Sequence, residues 1–275
     1  MMRFYKYQGA GNDFLVADNR QGLYSLTKDQ VAGLCDRRYG FGADGLMLLE
    51  RSQVADFKMV FYNPDGTGGM MCGNGGRCMV AFAAFLGYRS FNFEAPDGLH
   101  QAVILATDEQ QTRMTVRLKM TDVRVAEVLS DGDWFVHTGA RHRVRFVESG
   151  LASLEVDREG RRLRHDPCLQ PEGTNVNFVQ MAGDGRLQVR TFEKGVEAET
   201  YACGTGIVAS CLAAHWSGRV PGQPGERISL HVQALRDELQ VDFVPVSEEA
   251  DRMAKDIWLT GPAVQVGEVI ATSLP

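Results

Sequence analysis

The chain of 275 residues has no long apolar run. The longest, Met79–Leu86, falls far short of the ~20 residues a membrane helix requires. It has no stretch rich in Lys or Arg, and its formal net charge is −6. Such a surface suits neither nucleic acid nor an anionic membrane. The opening Met1-Met2-Arg3-Phe4-Tyr5-Lys6 carries no signal-peptide apolar core, so a soluble, cytoplasmic chain is expected. No Cys-x-x-Cys pair is present, which leaves little for a zinc site to use. Six cysteines in so long a chain are too sparse for a disulfide framework. Linkers of low complexity are also missing, so any domain boundary must be tight, and it is placed near residues 119–122 from an internal repeat described next.

What is present is organised around Cys72-Gly73-Asn74-Gly75-Gly76-Arg77-Cys78 and the apolar run that follows it. An echo stands 131 positions further on: Cys203-Gly204-Thr205-Gly206, followed by Ile207–Trp216. In each copy a glycine, Gly87 or Gly218, lies fifteen positions after the cysteine, where a helix stop signal belongs. The pattern places one cysteine at the N-terminus of each of two similar helices. Weaker matches at an offset of 130 accompany it, Phe57–Val60 with Leu187–Arg190 and Ala10–Val16 with Ala140–Phe146. Together they indicate two related halves.

Along the chain, Arg3–Tyr7 and Phe14–Ala17 read as strands flanking the glycine-rich turn Gly9–Asp13. Thr27-Lys28-Asp29-Gln30 is a capping box that opens a helix with Val31, Leu34 and Cys35 on one face. Strands are expected at Leu46–Glu50 and Asp56–Tyr62, the turn Asn63-Pro64-Asp65-Gly66 next, and then the first cysteine helix. Further strands are expected at Phe91–Glu94, Leu99–Ala106, Arg113–Lys119, Val123–Val128, Trp134–His137 and His142–Val147. Asn175–Gln180 and Leu187–Phe192 form a hairpin ahead of the second cysteine helix, and Ile228–Val232, Leu239–Val244 and Ile257–Thr260 complete the set.

Two thiols at helix tips define a chemistry. Glycines let backbone N–H groups approach a ligand, and a helix N-terminus favours a bound anion and a thiolate. The α-hydrogen of an amino acid is very weakly acidic, and its removal puts charge on the adjacent carboxylate. Two helix N-termini aimed at that carboxylate would stabilise the charge. A thiolate on one face of the carbon and a thiol on the other would remove and return a proton, inverting the centre, with a titration that belongs to the pair. The competing expectation is a non-catalytic binding or redox protein with structural cysteines. It does not account for two matched Cys-Gly-x-Gly turns. The other four, Cys35, Cys78, Cys168 and Cys211, are expected to be small buried hydrophobes.

Several segments carry a family resemblance: Lys6–Phe14, Asn63–Gly66, Met71–Cys78, Thr174-Asn175-Val176, and Glu193-Lys194-Gly195 with Glu199-Thr200 and Ala202–Gly206. In this order they resemble the diaminopimelate epimerases along nearly the whole chain. The resemblance implies an α/β (α+β) fold of two pseudo-symmetric domains, each a mixed, mainly antiparallel sheet wrapped around a central helix. The N-terminal domain would be residues 1–120, with 263–275 returning to it, and the C-terminal domain 121–262. It implies an isomerase without cofactor, independent of pyridoxal phosphate, that interconverts L,L- and meso-diaminopimelate in lysine and peptidoglycan precursor biosynthesis. Cys72 and Cys203 would be the acid/base thiols. Gly73, Asn74, Gly204 and Thr205 would hold the reacting carboxylate, Glu193 the reacting amino group, and Asn12, Asn63 and Asn175 the rest of the substrate. His142 matches a histidine beside the site, although an exposed strand histidine fits the sequence equally well.

Three positions depart from the family pattern: Gly45 where glutamine is usual, Gly139-Ala140-Arg141-His142 where Gly-Asn-Pro-His is usual, and Lys194 where arginine is usual. The usual asparagine and arginine are the residues expected to grip the substrate's far end. A lysine is a point charge rather than a bidentate fork, and Arg141 is the candidate to supply the missing fork. A racemase of another amino acid on the same fold is therefore the alternative. The partners expected are a small amino-acid substrate and a second copy of the chain in a homodimer, with no nucleic acid and no membrane.

Overall fold

Strands β1 (Met2–Gly9) and β2 (Asn12–Asp18) meet at a two-residue turn in which Ala10 has φ 52° and Gly11 φ 85°. Both central residues are left-handed, as a type I′ hairpin requires, and Gly9 pairs with Asn12 across it. The computed structural model describes residues 1–246 and 252–274, and the chain divides into two units, Met1–Leu118 with Gly261–Pro275, and Lys119–Thr260.

The first unit continues with α1 (Lys28–Cys35), β3 (Gly45–Glu50), β4 (Phe57–Tyr62), α2 (Gly73–Phe85), β5 (Asn92–Ala95), β6 (Gly98–Thr107) and β7 (Arg113–Lys119). The capping box is present, with Thr27 and Gln30 exchanging side-chain and backbone bonds. It sets α1 so that Val31, Leu34 and Cys35 pack on Phe4, Leu15, Leu46 and Leu48. From β1 to β6 the pairings alternate antiparallel, parallel, antiparallel, parallel, antiparallel. β7 adds to β6, and the later part of the long strand β16 (Ala254–Ala271) pairs with both β7 and β1, so the sheet of this unit closes on itself. Every residue of α2 from Gly73 to Ala83 is buried. A helix apolar on all sides needs walls on all sides, and the closed sheet supplies them.

The second unit repeats this plan. Its elements are β8 (Ala126–Val128), β9 (Trp134–His137), β10 (Arg141–Phe146), α3 (Val156–Arg164), β11 (Asn175–Met181), β12 (Leu187–Glu193), β13 (Ala198–Thr200), α4 (Gly204–Trp216), β14 (Ile228–Gln233) and β15 (Glu238–Pro245). From β9 through β10, β11, β12 and β14 to β15 the same alternation of pairings recurs. The first residues of β16 pair with β15, and a bridge between Val123 and Ala254 joins that strand to the segment before β8. α4 is buried at Gly204 and from Gly206 to Ala214.

Three expectations change. The strand expected at Ile257–Thr260 runs on to Ala271 as one element, because Pro262 stays in register opposite Thr115. The strand expected at Val123–Val128 shrinks to three residues, Ala126–Val128. Cys168, expected to be buried, is exposed in the short 3₁₀ turn Pro167–Leu169, where its thiol lies beside Asp166 and is pushed up by hydrogen bonding to that carboxylate.

Candidate active site

In the first unit Cys72 is the N-cap of α2, and its Sγ accepts the Gly75 N–H at 3.2 Å. The glycine is needed there: a Cβ on Gly75 would stand 3.2 Å from that sulfur. Asn12 lies next to it, with Oδ1 4.0 Å from Cys72 Sγ. The amide of Asn12 cannot be reversed, because its Nδ2 donates to Asp44 Oδ2 at 2.7 Å and a carboxylate only accepts. Asp44 is itself held by Arg37, which also binds Asp13, and Lys6 completes the cluster on Asp13. Burial alone would raise the Asp13 carboxyl, but hydrogen bonds from Arg37 and Lys6 bring it down to about 2.

Asn74, in the first turn of α2, is buried and tied to Arg77, whose Nη2 donates to Asn74 Oδ1 at 2.8 Å. Arg77 is fully buried and also donates to the carbonyls of Gly73 and Pro262. Asn63 turns inward on its own loop, donating through Nδ2 to Thr67 Oγ1 at 3.1 Å and Gly68 O at 3.3 Å.

In the second unit Cys203 is the N-cap of α4 and is buried. Its sulfur lies 3.6 Å from Thr205 Oγ1. Thr205 is fixed through its carbonyl, which accepts from Thr138 Oγ1 at 3.0 Å, and through its hydroxyl, 2.9 Å from His142 Nε2. His142 is completely buried, which answers the alternative of an exposed strand histidine and pushes its imidazole down to about 3, with a smaller contribution from His137. Its other nitrogen, Nδ1, is 3.1 Å from Asn177 Nδ2. Glu193, at the end of β12, accepts a hydrogen bond from Thr200 Oγ1.

Asn175 spans two backbone segments, donating to Arg141 O at 3.1 Å and accepting from Lys194 N at 2.9 Å. Lys194 Nζ donates to Glu172 O at 2.5 Å. Arg141 lies over the Phe135 ring, 5.1 Å from its centroid, with Nη1 3.5 Å from Glu172 Oε2 and Nη2 3.4 Å from Leu169 O. Arg141, Asn175 and Lys194 thus converge on the loop that carries Glu172. The structure brings Cys72, Gly73, Asn74 and Asn12 together in one unit, and Cys203, Gly204, Thr205 and His142 together in the other.

Asp44, Arg77, Thr138, Asn177 and Thr200, which hold these residues, were not singled out from the sequence. Two of them had a signal. Arg77 lies three and four residues after Asn74 and Gly73, on the same helix face. Asn177 follows Asn175 at strand spacing, flanked by Val176 and Phe178. Among the described residues, no group of His, Cys, Asp and Glu is arranged to hold a metal ion. No helix among them is long and apolar enough to cross a membrane.

The family model described as Diaminopimelate epimerase matches residues 4–125 and 134–253. The chain belongs to the diaminopimelate epimerase family. Two relatives named diaminopimelate epimerase agree with this over nearly their full length. The one from Chlorobaculum tepidum is 44% identical over 262 residues, 93% of this chain and 95% of its own. The one from Flavobacterium psychrophilum is 40% identical over 270 residues, 97% of this chain and 99% of its own. Among solved structures, a Bacillus anthracis phenazine biosynthesis protein of the PhzF family has the same fold, with a TM-score of 0.71 at 16% identity, covering 98% of this chain and 99% of that one. Diaminopimelate epimerases are isomerases, and this chain is an isomerase by membership.

At position 45, where this family usually carries glutamine, the space is already filled. A Cβ on Gly45 would meet the Phe61 ring at 2.8 Å and the Tyr62 carbonyl oxygen at 2.9 Å. Phe61 also presses on Gly69, so one ring is seated between two glycines.

Proposed function

We propose that this protein interconverts L,L- and meso-diaminopimelate without a cofactor, with Cys72 and Cys203 acting on opposite faces of one α-carbon. The single observation that carries this reading is the matched pair of helix tips: in each unit a cysteine caps a buried helix directly ahead of a Gly-x-Gly turn. One cysteine takes the α-proton as thiolate, and the other returns a proton from its thiol. Electron density that builds on the substrate carboxylate is met by the N–H groups of Gly73, Asn74, Gly204 and Thr205 and by both helix dipoles. Glu193 receives the reacting ammonium group, and Asn12, Asn63 and Asn175 position the remainder. Lys194 and Arg141 take the far carboxylate. The family names of the relatives support the substrate, and the same names support a place in lysine and peptidoglycan precursor synthesis. A cytoplasmic homodimer completes the proposal.

The test is turnover of L,L-diaminopimelate in deuterated water. Early product should carry deuterium at the inverted centre while the remaining substrate stays largely protiated, since the returning hydrogen comes from a second, solvent-exchanged thiol. Equal labelling of both from the first turnover would point to a single base. Cys72→Ala and Cys203→Ala should each lose nearly all epimerisation and keep the fold, whereas Cys35→Ala or Cys168→Ala should affect stability at most. Ordinary activity in Cys203→Ala would sink the two-base mechanism. Exchange with another free amino acid and none with diaminopimelate would favour the racemase reading.

A further inference from the structure

Gly45 and Gly69 are glycines on account of a single ring. Neither has a left-handed φ, so contact and not conformation requires them. A Cβ on Gly45 would stand 2.8 Å from Phe61 Cε2 and 2.9 Å from Cζ. A Cβ on Gly69 would stand 2.0 Å from Phe61 Cδ1 and 2.4 Å from Cε1. The buried ring of Phe61 therefore has bare backbone against two of its edges. Its seat is firm, because Gly45 pairs with Phe14 across β3 and β2, and the Phe14 ring meets Phe61 edge-on with centroids 6.0 Å apart.

The other side of the ring carries the turn that follows β4. Gly69 N donates to Phe61 O at 2.9 Å and Asn63 N donates to Thr67 O at 2.8 Å, which folds residues 63–69 back onto the strand. Within the turn the Asn63 amide has one sense. Its Nδ2 donates to the Gly68 carbonyl at 3.3 Å, and a carbonyl only accepts. Nδ2 also donates to Thr67 Oγ1 at 3.1 Å, while that hydroxyl gives its own proton to Asp65 Oδ1 at 2.6 Å. Asn63 Oδ1 lies 3.1 Å from the place a Gly69 Cβ would take. Ring, glycine backbone and amide oxygen are thus consecutive contacts.

We propose that Phe61 is a positioning residue for substrate binding: its ring, acting through Gly69, sets where Asn63 presents its side chain. The role of Asn63 rests on the epimerase reading; the packing behind it does not. Pro64, Asp65, Thr67 and Gly68 are exposed, so the turn has little else to lean on. A ring seated against strand backbone cannot yield, and a smaller side chain would leave a gap into which the turn settles. The same contact accounts for position 45. A side chain there and the ring at 61 compete for one volume, and in this chain the ring holds it.

The experiment is a double-mutant cycle on the whole protein, read by steady-state kinetics with diaminopimelate and by hydrogen exchange without it. Phe61→Val removes the ring atoms that a Gly69 side chain would meet. It should raise KM roughly threefold or more with a smaller effect on kcat, within the range over which contacting residues couple. Gly69→Ala alone should raise KM as well, by pushing the turn off the ring. Together the two should raise KM by less than the product of their separate effects, since the new methyl group enters the space the ring has left. In the free protein, the Gly69 N–H and the Asn63 Nδ2 hydrogens should exchange faster in Phe61→Val. Phe57→Val, which shortens a buried ring at the other end of β4, should lower stability and move neither KM nor these hydrogens. Phe61→Leu should shift both readouts in the same direction and serves where the valine variant does not fold. An unchanged KM in a folded Phe61 variant, or single effects that simply multiply, would overturn the proposal. A failed diaminopimelate assay in the unaltered protein would count against the epimerase reading, and the exchange rates would still decide whether Phe61 holds Asn63.

Discussion

A cation for a second carboxylate is the residue-scale question, because Lys194 stands where its family has arginine. Arg141 and Lys194 both reach Glu172, one through the carboxylate and one through the backbone carbonyl. A substrate carboxylate arriving there would replace contacts that are long or exposed, which are weak ones. Arg141→Ala is expected to raise KM for diaminopimelate by a factor equivalent to roughly 1.5–3 kcal/mol, with a smaller effect on kcat, as loss of uniform binding does. Steady-state kinetics decides it. A silent Arg141→Ala beside a Lys194→Ala that abolishes binding would assign the carboxylate to lysine alone. The sequence exposed these two residues because they break a pattern. It hid Glu172, their common neighbour, since a glutamate in a loop between Pro171 and Gly173 carries no signal of its own.

Elements were legible where apolar period and caps agreed, and illegible where packing overrode propensity. The two cysteine helices could be read because each begins at a cysteine followed by glycine and ends near a glycine. α3 could not: its nine residues include four arginines and a central glycine, and only Val156, Gly160 and Leu163 are buried. That glycine is explained by contact. A Cβ on Gly160 would lie 2.3 Å from Phe192 Cβ, so the helix rests directly on β12. In an exposed helix Gly→Ala gains about 1 kcal/mol. Here overpacking, typically ~1–3 kcal/mol, opposes it. Gly160→Ala should therefore destabilise the protein, as a lower urea midpoint would show; a rise would mean that α3 lifts off β12 at little cost. Sheet closure was expected only through the family resemblance, because a pairing between β1 and β16 joins residues more than 250 positions apart and leaves no local trace.

At the scale of the whole molecule, stability against acid follows from groups buried in one charge state. His142 is neutral in the fold, pushed from an ordinary 6.5 down to about 3 by burial, while the unfolded chain takes up that proton near 6.5. The unfolded state then binds more protons, so this contribution is complete above pH 6.5 and is lost as pH falls towards about 3. Asp13 and Asp166, each held at about 2 against an ordinary 3.8, add a second loss at lower pH, complete above 3.8 and gone as pH falls through about 2. The urea midpoint should accordingly decline in two stages on acidification, and His142→Gln should flatten the first. A first stage unchanged in His142→Gln would place its origin elsewhere.

β16 has a consequence for the order in which the chain can acquire its shape during synthesis. Domains generally fold as they emerge, the N-terminal one first. Here the wall that closes the first unit is made of residues after Gly261, translated only when all of the second unit is already outside or inside the ribosome tunnel. The second unit is one continuous stretch and needs nothing later than Thr260. The unit synthesised first is thus the one that must wait, with α2 and its apolar surface lacking two of its strand pairings until then. A nascent chain stalled after Thr260 should show slow hydrogen exchange along β10–β12 and fast exchange along β1 and α2. Protection of β1 in that stalled chain would mean that the first unit can close without the late strand.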